Sequence, residues 1–294
     1  MSKRFFWLET LSSTHIGTGR GLGYIDLPLQ REKVTNWPMI PGSSIKGVVA
    51  DSFQAGKEGR KGNADKEKAF GKAPTDTDTF SQAGALFFND ARIFCLPIRS
   101  FKGTFAWCTS ILVLQQFTRE SGCTLKLPLP IPNDKVGVCN DPFLGTSLGQ
   151  GANKAVLEEF DLSLQPSNET TELAKWIAER LFPGDETWQG IFKQRFAILP
   201  EELFNHFCLT GTEVITRNSI DEITGIAIDG ALWTEESLPV ATILTSSIEC
   251  DSRDCDTNEQ ERLLKHFATG EKTLQMGGKA SVGRGRVRCV FTAM

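Results

Sequence analysis

The chain is short of the residues that build several common kinds of site. Its 294 residues include three histidines and one tyrosine, little material for metal-free acid–base catalysis through imidazole or phenol groups. The eight cysteines, at 95, 108, 123, 139, 208, 250, 255 and 289, contain no Cys-x-x-Cys pair. Cys250, Cys255 and His266 lack an evident fourth ligand, so a zinc site is discounted. Apolar runs such as Ser110-Ile-Leu-Val-Leu114 are too short to cross a bilayer, and Glu9 interrupts any signal-peptide core. Reduced, mostly buried thiols in a cytoplasmic protein with no membrane partner are therefore expected. A net charge of −4 excludes a molecule that binds polyanions over its whole surface. Any such site must be local, and residues 279–288 offer one, with Lys279, Arg284, Arg286 and Arg288 and no acid.

What the chain does have is a dense loop at 15–47. Glycines at 17, 19, 21 and 23 alternate through it, flanked by His15, Arg20 and Arg31, with Asp26 among them. Such glycines let backbone lie close to a ligand. Ser43 and Ser44 open a helix and are expected to cap it, leaving free amides and Lys46 directed at an anion. A polyphosphate such as an RNA backbone suits these parts. No common nucleotide motif is matched: the dinucleotide spacing fails at Leu22 and Tyr24, and Val48 stands where a P-loop needs lysine.

Along the chain, Phe5–Thr10 reads as a strand and the segment from Pro41 as a helix, with Ile45, Val48, Val49 and Phe53 at helical spacing. Residues 54–82 show no apolar periodicity and read as a long mobile insertion. Residues 85–94 read as a strand, 103–117 as a helix, 121–152 as proline-rich loop and 155–164 as one strand. Helices are predicted over 171–182 and about 186–209, the second interrupted near Pro200, with β-ribbons within 211–240 and a strand over 239–249. Thr257-Asn-Glu-Gln260 reads as a capping box, and Gly277–Gly285 leads into an alternating strand at 286–291. This order suits an α+β fold with a ferredoxin-like core.

Six segments resemble, in order, the RAMP superfamily of CRISPR-associated proteins, and more closely the backbone subunits of type III-B (Cmr) RNA-guided effector complexes. They begin at His15, Ile25, Ile40, Pro97, Asp229 and Gly277 and span essentially all of 1–294 as one domain. The resemblance implies a modified ferredoxin-like (RRM-like) core with helical insertions and a thumb β-hairpin within about 211–240. It implies copies stacked head to tail on a CRISPR guide RNA beside other Cmr subunits, and cleavage of single-stranded target RNA at regular intervals in a divalent-metal-dependent reaction. It carries the essential acid onto Asp26, the phosphate-contacting lysine onto Lys46 and the C-terminal glycine loop onto Gly277–Gly285. Nothing functional carries over to 54–82.

Asp26 is thus expected to be catalytic and to hold Mg²⁺ or Mn²⁺, hard cations that need one or two protein carboxylates besides phosphate oxygens. The competing possibility is a turn acid bonded to local backbone, or an ion pair with Arg31. Expected RNA contacts are His15, Gly17, Gly19, Arg20, Ser43, Ser44, Lys46, Trp233, Gly277, Gly278, Lys279 and Arg284. His15 could equally be an acid–base group or a packed histidine. Glu235, Glu236 and Asp90 read as solvated acids, and Trp107, Trp176 and Trp188 as core. Two further functions compete with the nuclease: a non-catalytic RNA-binding scaffold, and a metal-free guide-processing ribonuclease, which the shortage of histidine and tyrosine disfavours.

Overall fold

The computed structural model describes residues 2–21, 23–53, 64–72, 81–146, 153–251, 253 and 255–292. Four strands form its first sheet in the spatial order Arg286–Thr292, Lys3–Thr10, Ile243–Cys250, Ala91–Ser100, all neighbours antiparallel. Helix Gly42–Ser52 comes between the first and second of these in the chain, and helix Thr257–Phe267 between the third and fourth. The path is therefore β-α-β-β-α-β, with Glu271–Gln275 added at one edge. Side chains alternate across a strand. Phe6 and Leu8 accordingly join Ile45, Leu263 and Phe267 in one core, while Trp7 meets Phe94 and Phe117 in another. Burial on both faces explains why Phe5–Leu8 reads as an unbroken apolar run.

Ala91–Ser100 belongs to two layers. Its first half pairs with Ile243–Cys250 and its second with Thr104–Ser110. From there Phe196–Leu199, Lys135–Val138, Phe160–Pro166 and Lys154–Leu157 follow in turn, and Ser100 pairs with Leu157 to close the ring. This closed barrel is filled by side chains such as Trp107, Val136, Leu157, Phe196 and Ile198. The indole N–H of the buried Trp107 donates to the Ala241 carbonyl at 2.9 Å, tying barrel to first sheet.

Several sequence expectations change here. Residues 103–117 are not one helix: Thr104–Ser110 is a strand flanked by partners on both edges, and helix Ile111–Ser121 starts only after Ser110 caps it. A strand paired on both edges and buried on both faces carries no alternation to set it apart from a helix. For the same reason the break expected near Pro200 is wider than a kink: strand Phe196–Leu199 separates helix Glu186–Arg195 from helix Glu201–Thr210. The single strand at 155–164 is a hairpin turning at Glu158, which adopts a φ of 49°. Asp256, not Thr257, caps the last long helix by accepting the Glu259 N–H. Within 54–82, Ala64–Phe70 is helical and buries Ala69, and Gly71–Lys72 pairs with Gln82–Ala83; residues 54–63 and 73–80 lie outside the described residues. All eight cysteines are free and all but Cys123 are buried.

A separate two-stranded sheet pairs Glu213–Ile220 with Ala227–Ser237. Its end is apolar and open to solvent at Ile220, Ile223 and Ile226. Among the described residues no helix is long and apolar enough to cross a membrane.

Candidate functional site

Three segments meet at the foot of that hairpin: the glycine-rich loop from His15 to Arg31, the strand end Trp233–Ser237, and the loop Gly277–Gly285. The first is held by β-bridges between Gly17 and Leu29 and between Leu27 and Glu235, the latter parallel. Buried Ile16 and Leu29 anchor it in the core that also contains Ile45 of helix Gly42–Ser52. The Gly21 N–H donates to the Asp26 carbonyl at 2.8 Å, closing a small turn that presents residues 23–25 to solvent.

Asp26 is exposed and gripped from one side. Its Oδ2 accepts the Thr234 N–H at 2.8 Å and lies 2.9 Å from the Thr234 hydroxyl. These bonds, backbone first, with a smaller contribution from the charge of Arg20, hold its carboxyl below the usual value. Oδ1 has no hydrogen-bond partner among the described residues. The local ion pair with Arg31 does not form, because Arg31 turns to Glu236 at 2.5 Å.

Glu235 and Glu236 are not solvated acids. They are 4% and 2% exposed and organise the site from beneath. Glu236 accepts the Leu29 N–H at 2.9 Å, the Thr212 hydroxyl at 2.8 Å and the Arg31 guanidinium. Burial raises its pKa, but these donors outweigh burial and leave it below the ordinary value. Its main chain is also engaged: the Glu236 N–H donates to Leu27, and the Glu236 carbonyl lies 2.5 Å from Nδ1 of His15. A carbonyl only accepts, so Nδ1 carries the hydrogen of this contact.

Glu235 gathers the cations. It accepts from Arg217 at 2.8 Å, from the Trp233 indole at 2.6 Å and from the Lys279 ammonium. Lys279 sits in the left-handed region at φ 68°, and burial with the nearby Arg217 and Arg284 charges lowers its pKa. Arg284 pairs with Glu213 at 3.3 Å, which also receives the Ser13 hydroxyl. Gly277 must be glycine: at φ 75° a Cβ would lie 2.1 Å from the His15 carbonyl. Its neighbour Gly278 donates its N–H to the same carbonyl at 3.2 Å and has open space around it.

The fold thus brings together His15, Gly17, Asp26, Trp233, Gly277, Gly278, Lys279 and Arg284, with Arg20 and Gly19 exposed on the same loop. Ser43, Ser44 and Lys46 form no hydrogen bond or ion pair with that cluster. Neither serine caps its helix. Pro41 precedes it, and the carboxylate of Asp90 accepts the Gly42 N–H at 2.8 Å, placing a negative charge where an anion was expected. Asp90 is therefore a helix-end acid. Lys46 has no acidic partner among the described residues, and partial burial lowers its pKa. Sequence reasoning missed Thr234, Thr212 and Arg217, whose partners lie up to 208 positions away.

As to the metal, the residues present fit a hard cation: one ionised carboxylate with a bare oxygen beside basic backbone-rich loops. No group of three His, Cys, Asp or Glu side chains converges among the described residues, so the remaining positions would fall to water and phosphate.

Comparison with known proteins is consistent along the whole chain. The profile of the RAMP superfamily matches residues 7–288. The CRISPR system Cmr endoribonuclease Cmr4 of Pyrococcus furiosus is 34% identical over 289 residues, covering 96% of this chain and 92% of its own. The crystal structure of oligomeric Cmr4 from Pyrococcus furiosus superposes with a TM-score of 0.75 at 27% identity, covering 100% of this chain and 99% of that one. A chain of the type III-B Cmr-beta complex bound to cognate target RNA shares the fold at a TM-score of 0.70 and 18% identity, covering 99% and 97%. The chain belongs to the RAMP superfamily, on the branch that contains Cmr4.

Proposed function

We propose that this chain is a guide-RNA-binding backbone subunit of a type III-B effector complex and cleaves guide-paired target RNA at Asp26. The observation that carries the proposal is the state of Asp26: exposed, held ionised by Thr234, and with an Oδ1 that accepts no hydrogen bond from another described residue, beside two glycine-rich basic loops. Identity to a curated endoribonuclease over nearly the full length supports the activity, and the oligomeric relative supports stacked copies. The β-α-β-β-α-β order is read as the modified ferredoxin-like core, and the Glu213–Ser237 hairpin as the thumb.

In this reaction the target's own 2′-OH attacks the adjacent phosphorus. The P–O2′ bond forms as the P–O5′ bond breaks, leaving a 2′,3′-cyclic phosphate and a 5′-hydroxyl. One proton leaves the 2′-oxygen and one returns to the 5′-oxygen. A carboxylate held below its usual pKa is a weak base, so Asp26 contributes charge and orientation more than proton transfer. Asp26 would hold Mg²⁺ or Mn²⁺, which when bound would supply positive charge against the charge that develops on the phosphate. His15, Arg20, Lys279, Arg284 and the amides of Gly17, Gly19, Gly277 and Gly278 are the proposed backbone contacts near the cut. Lys46, Ser43 and Ser44 serve a guide phosphate further along, and Trp233 lines the thumb. Sequence specificity belongs to guide pairing, as in another CRISPR effector class.

The test is cleavage of guide-paired target by the reconstituted complex with Mg²⁺, comparing wild type with Asp26→Ala and measuring target binding in parallel. Lost cleavage with binding intact supports the assignment. Unchanged cleavage leaves an RNA-binding scaffold.

A further inference from the structure

The site contains one aromatic side chain with nothing to touch. Tyr24 is 104% exposed and makes no ring or cation contact with any described residue. Isolated exposed aromatics are ordinary on a protein surface, but this one is held in a particular place. Its carbonyl lies 3.2 Å from the Thr234 hydroxyl, the same hydroxyl that sits 2.9 Å from Oδ2 of Asp26. The Gly21–Asp26 hydrogen bond closes the turn beneath it. Thus the backbone at Tyr24 is fixed relative to the carboxylate while the ring is left in water. Two residues of chain reach at most ~7 Å, about one nucleotide step along an extended strand. The other aromatic near the carboxylate, Trp233, is half-buried and its indole N–H is already engaged by Glu235.

We infer that Tyr24 is the stacking platform for the target-RNA base next to the scissile phosphate. This deepens the proposed reaction and rests on Asp26 marking the cut. A tyrosine face accepts any base, because every base has a π-face. That tolerance suits a protein whose sequence reading is done by the guide. Stacking on one side of the phosphate would turn the ribose so that its 2′-oxygen faces phosphorus, the alignment that in-line attack requires. Tyr24 is therefore a positioning residue, and its full exposure leaves the ring open to a base.

The experiment uses the reconstituted guide complex and a target carrying 2-aminopurine at the base adjoining the cut. Wild type, Tyr24→Phe, Tyr24→Leu and Asp26→Ala are compared for assembly, target affinity, single-turnover cleavage and 2-aminopurine emission. Tyr24→Leu is expected to slow single-turnover cleavage by ~10-fold through lost alignment, to raise emission, and to weaken target affinity by no more than the ~10-fold of one base–aromatic stack. Tyr24→Phe should restore both rate and quenching. Asp26→Ala should lose cleavage yet keep the quenching, which separates failure of the stack from failure of the catalytic assignment. Wild-type rate and quenching in Tyr24→Leu would overturn the inference. So would loss of assembly in that variant, which would make Tyr24 a contact between copies.

Discussion

Thr234 holds Asp26 by two donors on one carboxylate oxygen, the N–H at 2.8 Å and the hydroxyl at 2.9 Å, while no other described residue donates to the second oxygen. The grip comes from the root of the hairpin, so the acid is tied to the hairpin's strand end. Removing the hydroxyl alone, in Thr234→Val, keeps the backbone donor but frees the rotation of the carboxylate. Cleavage by the complex should fall roughly tenfold from lost orientation, with target binding unchanged in a filter or gel-shift assay.

Because the Thr234 bonds lower the Asp26 pKa, its charge is complete above the ordinary value of 3.8 and is lost only below it. Cleavage measured across the neutral range should therefore show no titration step belonging to Asp26. The carboxyl carbon shift of Asp26 followed by NMR checks this: a titration near neutrality would contradict it.

Glu236 is a buried carboxylate serving Leu29, Thr212 and Arg31 at once. Truncation in Glu236→Ala leaves the half-buried Arg31 with backbone carbonyls but no carboxylate and should cost about 3–5 kcal/mol in denaturant unfolding. The folded pKa of Glu236 is lowered, so its stabilisation is present above the ordinary value of 4.5 and disappears as pH falls through the lower folded value. The pH dependence of unfolding over that acid range should shrink in Glu236→Gln.

Gly277 and Gly278 are adjacent but make opposite demands. A Cβ at Gly277 would meet the His15 carbonyl at 2.1 Å with φ at 75°, whereas Gly278 has nothing within 4 Å. Gly277→Ala should destabilise by about 1–3 kcal/mol through backbone strain and displacement of His15. Gly278→Ala should stay within about 0.5 kcal/mol. Thermal melts of the two variants side by side check this.

Chelation should separate chemistry from folding. No group of three His, Cys, Asp or Glu side chains converges among the described residues, and Asp26 lies on the surface. Removing divalent cations with EDTA should stop target cleavage while leaving the melting temperature of the subunit unchanged. Mn²⁺ should restore cleavage as Mg²⁺ does, since both accept hard oxygen donors.

The sequence by itself determined the local pieces: the first strand, the helix after Pro41, the glycine-rich loops and the acid among them. Each is legible because neighbouring residues impose it, through alternation, helical spacing or the φ that glycine permits. Tertiary structure alone decided the rest. Thr104–Ser110 and Phe196–Leu199 became strands because each found the other, distant in sequence, along one edge. Glu235 and Glu236 became the buried scaffold of the site, and Lys279 and Arg284 found their carboxylates, because three segments converge at the hairpin root. Ser43 and Ser44 lost the cap to Asp90, which arrives from 48 residues away. A short-range pattern reports what a residue prefers; burial, charge pairing and hydrogen-bond satisfaction depend on what the fold places opposite it.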